Sequence, residues 1–316
     1  MTRRSHVYAM LGVLSLLWGI AFVGIKEVLA ELSPAALTIL RFAIADVCLL
    51  VVMAAWPPAR PRLRREDVWR LVVLGVTGVP GYHLALNWGE HRTSASVASL
   101  IVATAPVMVA LGSAALLGER ATARRWIGIA LAFAGVAVLA LADPADGVQT
   151  SVIGVLVSVI APLMWAIYVI VGKPLADRAS AIQVTAASML IGSLFLLPLL
   201  RGETFEEFGA LSGSGWLWML LLGVGSSVAG YFIFVWALGK MEATRVSVFL
   251  YAVPVVALIA SWLLLDERLG VSLIFAAAMV IAGVVLAQQE QAGGGEVSAL
   301  PGEEPVATPT PRSEGI

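Results

Sequence analysis

Trp18-Gly-Ile-Ala-Phe-Val-Gly-Ile-Lys26 recurs as Trp165-Ala-Ile-Tyr-Val-Ile-Val-Gly-Lys173, two apolar runs that open on tryptophan and close on lysine at the same spacing. The correspondence continues downstream. Ala105-Pro106 to Glu119-Arg120 lies over Val253-Pro254 to Glu267-Arg268, Trp88 over Trp236, and Gly135 over Gly283. Internal self-similarity on this scale means one structural unit built twice. The chain has 17 Arg but only three Lys, at 26, 173 and 240, so two of the three lysines occupy equivalent positions. Those positions prefer a compact ammonium to a guanidinium.

With 59% hydrophobic and 13% charged residues in 316, the chain is too apolar for a soluble globular protein. Its apolar stretches approach the ~20 residues that span a bilayer as a helix, and the alternating segments of a transmembrane barrel are absent. The single cysteine, Cys48, lies in an apolar run and provides no disulfide framework. The basic residues are scattered between hydrophobic segments, which is no footprint for nucleic acid. The first apolar run is too long for a signal peptide and is the partner of an internal segment.

Ten spans are expected: Val7–Leu29, Pro34–Trp56, Leu71–Gly89, Ala95–Leu117, Arg125–Leu141, Val152–Val171, Ile182–Leu200, Trp216–Leu238, Val246–Leu265 and Val271–Ala287. The polar turn Asp143 to Gln149 joins the halves, and from Gln288 the chain turns polar, as a disordered tail would. Cytoplasmic loops retain Lys and Arg. With the N-terminus inside, inner segments hold fourteen such residues and outer ones three, Arg92, Arg201 and Arg268. Both termini are therefore expected in the cytoplasm, with the chain in the inner (plasma) membrane. Five spans per half is an odd number, so the second copy enters the membrane inverted. The expected class is all-α integral membrane, as two inverted-topology repeats over residues 1–145 and 146–287 with a tail at 288–316. Inverted repeats are a signature of secondary transporters, whose substrate site lies at the repeat interface.

The tryptophan-to-lysine run of the first span resembles the EamA-type branch of the drug/metabolite transporter superfamily. So do Arg41 within Ser33-Pro-Ala-Ala-Leu-Thr-Ile-Leu-Arg-Phe42, and Leu-Gly-Glu-Arg120 and Leu-Asp-Glu-Arg268 followed by glycine-bearing spans. The resemblance covers residues 7–287. It implies ten-helix carriers of small polar metabolites, often exporters of amino acids or their derivatives. Gly24 and Ile25 depart from the small-residue pair common before the lysine.

Arg41 lies two turns into the second span, where a charge costs ~2.5–3.5 kcal/mol on insertion scales and faces a cavity or a partner. Two readings stand: it receives a carboxylate or phosphate through its bidentate fork, or it pairs with Asp46 or Glu31 or snorkels outward. Lys26 and Lys173, near the ends of their spans, either snorkel or serve a gate. His83, Asn87, Glu90 and His91 follow helical spacing and make one polar face. This is a cavity wall on which His83 could exchange protons, with Glu90 and His91 at the outer surface. The spacing is not a zinc motif, and neither metal nor cofactor is expected. Trp18, Trp165, Tyr168, Tyr231, Trp236 and Tyr251 either line a pocket or anchor at the membrane interface. Pro106 and Pro254, mid-span, should kink their helices as static bends or hinges. Glu119 and Glu267 are expected to bind backbone amides at a helix start; in a gating scheme Lys26–Glu267 closes one face and Lys173–Glu119 the other. Small residues Gly128, Ala132 and Gly135 with Ala278, Ala282 and Gly283 permit close helix approach, within the bundle or in a homodimer.

These features point to a secondary exporter of small polar metabolites by alternating access, with the bilayer and a small-molecule substrate as partners and proton coupling as one energy source. Another organic anion or drug-like compound is the alternative substrate. A scaffold or sensor would not need two charged, inverted halves. An intramembrane enzyme would need a catalytic constellation that three His and no paired intramembrane acids do not provide. No Gly-rich phosphate loop is present for a self-sufficient ATP-driven pump.

Overall fold

A computed structural model gives the fold for residues 3–55, 63–117, 123–142, 150–241, 246 and 249–293. The described residues are helical. Six helices are long and apolar enough to cross a membrane: His6–Val28, Pro34–Ala55, Ala123–Ala140, Val152–Arg178, Ala181–Leu199 and Gly213–Leu238. Shorter apolar helices run over Ala95–Val109, Ala252–Leu264 and Val271–Ala287. Residues 68–90 form one further helical run, α3 (Val68–Val76), a π segment (Thr77–Leu84) and α4 (Ala85–Glu90). The tail boundary shifts: the last helix continues to Gly293, and 294–316, like 143–149 and Glu119, lie outside the described residues.

We label the remaining helices α1 (Arg3–Val28), α2 (Pro34–Ala55), α5 (Ala95–Val102), α6 (Ala105–Leu117), α7 (Ala123–Ala140), α8 (Val152–Ser158) and α9 (Ile160–Arg178). They continue as α10 (Ala181–Leu194), α11 (Gly202–Ala210), α12 (Gly213–Leu220), α13 (Gly230–Leu238), α14 (Ala252–Leu264) and α15 (Val271–Gly293). The face carrying the N-terminus is the N face, and the opposite one the distal face.

Glycine decides where helices approach. A β-carbon on Gly283 would lie 2.4 Å from the Ala132 nitrogen, and one on Gly128 would lie 2.5 Å from the Ala287 nitrogen. Gly128, Ala132, Gly135 and Gly283 are thus consumed between α7 and α15 of the same chain, whereas Ala278 and Ala282 are exposed. Elsewhere the halves interlock reciprocally. Gly75 in α3 abuts Gly192 in α10, and Gly223, its counterpart one repeat later, abuts Ile44 in α2.

The interruptions are also paired. A second π segment, Leu221–Ala229, joins α12 to α13 as Thr77–Leu84 joins α3 to α4. Pro106 and Pro254 do not bend continuous helices. Each lies in the first turn of a new one, α6 from Ala105 and α14 from Ala252, where a missing N–H costs no helical bond. The helix is interrupted at Ala103-Thr104 before the first and at Leu250-Tyr251 before the second.

The repeated lysines receive a specific account. Lys26 Nζ donates to the carbonyls of Glu90 (3.1 Å) and Thr93 (2.5 Å), at the end of α4. Lys173 Nζ donates to the carbonyl of Leu238 (2.8 Å), at the end of α13. Leu238 is the repeat counterpart of Glu90. Each ammonium thus satisfies carbonyls that the final turn leaves without an intrahelical partner, and its charge complements the negative end of the helix dipole. The span ends later than its expected limit at Val171: α9 runs past Pro174 to Arg178, so Lys173 lies inside the helix, where it also pairs with Asp177.

Glu267 does not meet Lys26. Asp266 adopts a left-handed conformation (φ 51°), tolerated by aspartate, just past the end of α14. The Glu267 carboxylate accepts from the amides of Ala95 (2.8 Å) and Ser96 (3.1 Å) and from the Ser96 hydroxyl (2.6 Å). It caps the N-terminus of α5 in the other half rather than that of the helix following it in sequence.

Two further contacts tie the halves. On the distal face Glu31 accepts from the Ser212 amide (2.6 Å) and hydroxyl (2.7 Å); the amide bond first, then the hydroxyl, hold its carboxyl below the usual carboxylate range. On the N face Arg178, the counterpart of Glu31, donates to the buried Asp67. With the Arg64 amide, this guanidinium lowers the Asp67 carboxyl in the same way.

If Lys26 and Lys173 serve as C-terminal caps, Lys26→Met and Lys173→Met should each lower thermal stability in detergent by about 1.5–3 kcal/mol, the range for hydrogen bonds to a charged group. Lys26→Arg should recover little, because a planar fork cannot converge on two carbonyls as a compact ammonium can. Wild-type melting of both Met variants would return the lysines to snorkelling.

Candidate functional site

Trp18 and Trp165, the two repeat-equivalent tryptophans, meet edge to face at the centre of the molecule, with ring centroids 5.2 Å apart and planes at 87°. The geometry sets the positive ring edge of one indole against the negative face of the other. Trp18 is fixed further by its Nε1–H, which donates to the Ser226 carbonyl (3.0 Å) in the second π segment. Gly230 makes room for it: a β-carbon there would come 2.4 Å from that nitrogen. Trp165 stacks on Tyr168 (5.1 Å, 10°), and Tyr231 stands across it (5.5 Å, 88°).

Above these rings opens a cavity. It is walled by Trp18, Trp165, Tyr82, Tyr231 and Phe22, by the aliphatic Ile25, Leu86, Val102, Leu250 and Val253, and by Ser99, His83 and Arg41. Pro106 and Pro254 border it as well, so the two paired helix breaks face the same space. Among the sequence candidates, Trp18, Arg41, His83, Trp165, Tyr231, Pro106 and Pro254 come together here. Asn87 does not: its amide donates to Thr38 Oγ1 (2.9 Å) and ties α4 to α2. Tyr168 lies behind Trp165, and Trp236 packs against the same core. Tyr251 packs against the apolar cluster that α5, α7 and α15 share. Lys26, Lys173 and Glu267 occupy the helix ends described above.

Arg41 is 3% exposed. Neither Asp46 nor Glu31 is its partner. Its Nε donates to Ser227 Oγ (2.8 Å) from the second π segment, while Nη1 has no hydrogen-bond partner among the described residues. The side chain is thus held at its root and offers the end of its fork to the cavity. Unpaired guanidinium donors in an apolar site are costly, and a carboxylate is the ligand that matches them bidentately.

His83 Nε2 lies 3.2 Å from the Tyr231 hydroxyl, whose proton goes to the Gly78 carbonyl (2.8 Å). The hydroxyl oxygen therefore accepts, Nε2 carries the hydrogen, and Nδ1 is left without a partner among the described residues. Tyr82 and His83 are neighbours in sequence yet both line the cavity. The wide π turn accounts for that, since it departs from the 100° step per residue of an α-helix. Sequence reasoning at α-helical spacing therefore found His83 and missed Tyr82. Pro80 between Gly78 and Gly81 was the available signal. Ser227, the partner of Arg41, was missed for the same reason in Gly223-Val-Gly-Ser-Ser227.

The clearest departure concerns Glu90. Expected at the outer surface, it is fully buried, one turn beyond Leu86 on the side of the cavity toward the distal face. His91 is exposed. Among the described residues no group of three His, Cys, Asp or Glu side chains could hold a metal ion.

Comparison with known proteins places this geometry. The sequence matches the EamA-like transporter family twice, over residues 5–141 and 152–288. It is 35% identical over 269 residues to an uncharacterized transporter of Archaeoglobus fulgidus, covering 85% of this chain and 94% of that protein. It is 32% identical over 285 residues to a protein named a probable terminal-alkyne amino-acid exporter in Streptantibioticus cattleyicolor, covering 90% and 94%. A solved structure 21% identical superposes with a TM-score of 0.64 over 90% of this chain and 96% of that one, which speaks to fold alone. With apolar membrane-length helices, a duplicated family match and an aromatic cavity where the duplicates meet, the chain belongs to the EamA-like transporter family, as a multi-pass membrane transporter and not an enzyme.

Proposed function

We propose that the chain is an alternating-access carrier that exports small amphipathic carboxylates, foremost amino acids with apolar side chains. The observation that carries this is the buried Arg41 fork, anchored at Nε and unpartnered at Nη1, inside a cavity otherwise lined by aromatic and aliphatic groups. The carboxylate of the solute meets Arg41, its apolar side chain the aliphatic wall, and its ammonium the ring faces of the Trp18, Trp165, Tyr82 and Tyr231 cluster, by cation–π attraction. The name of the Streptantibioticus relative supports an amino-acid solute. No carboxylate side chain lines the described cavity, and that favours a second reading, an organic acid without an amino group.

The ten-span, inverted arrangement of the two repeats is supported by the paired π segments, paired helix breaks and reciprocal glycine contacts. Contacts made at both faces in one state do not distinguish those faces. The lysine caps are such contacts, as are Glu31–Ser212 and its counterpart Arg178–Asp67. We assign Glu31–Ser212 and Arg178–Asp67 to the fixed frame. Glu267 on the start of α5 is the distal contact that parts when that face opens, with the helix breaks at Pro106 and Pro254 as hinges.

The substrate assignment is tested in proteoliposomes with radiolabelled leucine, phenylalanine and their carboxamides. Arg41→Gln should lower carboxylate transport about tenfold or more, the loss expected for one charged hydrogen bond, with the protein still folded, and Arg41→Lys should restore little. Carboxamide transport should be insensitive to both. Unchanged carboxylate kinetics in Arg41→Gln would remove Arg41 from recognition.

The Lys/Arg asymmetry supports cytoplasmic termini and a distal face that looks outward. With Cys48 replaced, single cysteines placed at 143–149 should react with an impermeant thiol reagent added outside intact cells, and those at 60–65 should not. The opposite pattern would invert the assignment.

A further inference from the structure

Glu90 is a buried acid that neither lines the cavity nor joins the frame contacts through its carboxyl group. It ends α4, is 0% exposed, and neither carboxyl oxygen has a hydrogen-bond partner among the described residues. An ionised carboxylate in that position forfeits hydration without receiving any hydrogen bond in return. The charged groups that face it are Lys26 from α1, Glu267 from the turn after α14 and Arg41 from α2. The Lys26 ammonium, the nearest means of compensation, is directed instead to the backbone carbonyls of Glu90 and Thr93. The second acid, Glu267, is spent on the α5 amides.

We propose that Glu90 is a proton-binding site, neutral in the state seen here, and that loss of its proton loosens the distal closure. The step is a simple dissociation. The carboxyl O–H bond breaks, its electron pair stays on oxygen, and the proton passes to water at the distal face. The new carboxylate then competes with its own backbone carbonyl for the Lys26 ammonium. Drawing that ammonium away uncaps α4 and the Thr93 carbonyl, two residues before the amides that Glu267 holds. Proton occupancy and the Glu267 contact are thereby linked through one lysine. The repeat supplies an internal contrast: at the N face the counterpart of Glu90 is Leu238, so Lys173 caps α13 with no acid to compete for it. The device exists on one face only, which confines its response to pH to the distal closure. Glu31 and Asp67, which tie the halves elsewhere, stay ionised at neutral pH because their partners lower them, and neither can play this part.

The test uses the full-length protein in liposomes without any transported solute, so its outcome is independent of what is carried. Infrared difference spectra are recorded from roughly pH 5 to pH 10, which brackets the range reached by buried carboxyl groups. A protonated-carboxyl C=O band should be present at the low end and disappear on titration. Carbon-13 labelling of glutamate should shift that band, which separates it from Asp46, whose Oδ1 also lacks a partner. In Glu90→Gln the band should be lost, while Trp fluorescence and thermal stability stay at wild-type values or above. Should Glu90→Gln not fold, the titration of the glutamate-labelled band in the wild type decides the matter, because the other described glutamates are not fully buried. A band that persists in Glu90→Gln, that fails to shift with labelled glutamate, or that does not titrate across this range would overturn the proposal.

Discussion

A helix end inside a bilayer leaves carbonyl and amide groups with no water to bond, and the architecture described here follows from how those groups are satisfied. This chain interrupts its helices repeatedly, at π segments, before prolines and at short turns. Every interruption creates a demand that some side chain must meet. Lys26 and Lys173 meet it at the ends of α4 and α13, Glu267 at the start of α5, and Ser94, Ser151 and Ser212 at the starts of their helices. Because these donors and acceptors often come from elsewhere in the chain, solving the local problem also fastens separate elements together. The lysine pair shows the consequence most plainly. A position that must place a charged donor on the carbonyls of a helix terminus favours a compact ammonium, and both copies of the repeat carry one there.

The same interruptions create the cavity. An unbroken helix presents one residue in about three or four to a given side, whereas the π segments turn Tyr82 and His83 inward together and bring Ser227 to Arg41. The cavity is therefore aromatic on one side, with a single anchored guanidinium near it, and it lies where the two repeats put their tryptophans in contact. Stability and recognition are not separable at Arg41. Its Nε bond to Ser227 holds the fork in place, and in the proposed function the unpartnered Nη1 is what receives the ligand.

Much of this was legible in the sequence, and the reasons for the remainder are physical. Duplication was readable because Trp18 and Trp165, the lysines and the Pro–Glu–Arg segments keep their spacing. The central tryptophans and Arg41 stood out because mid-span aromatic and charged groups are costly or conspicuous in lipid. Glu90 was misplaced, since position along a span does not reveal whether neighbouring helices cover its end. Lys26 and Glu267 looked like natural partners by charge and by face. Their actual partners are backbone groups, which every residue carries and no sequence pattern advertises. Tyr82 and Ser227 were lost to the assumption of regular α-helical spacing in segments that are wider than that.

In the proposed cycle the Glu267–α5 contact parts while the Glu31–Ser212 frame on the same face stays fixed. Pulsed electron–electron resonance between spin labels at positions 92 and 269 reads the Glu267–α5 contact, and a pair at 30 and 209 reads the Glu31–Ser212 frame on the same face. Measured in liposomes on the acid and alkaline sides of neutrality, the first pair should show two distance populations whose ratio changes with pH. The second should keep a single distance. One unchanging distance for 92 and 269 under every condition, or equal movement of both pairs, would contradict the account.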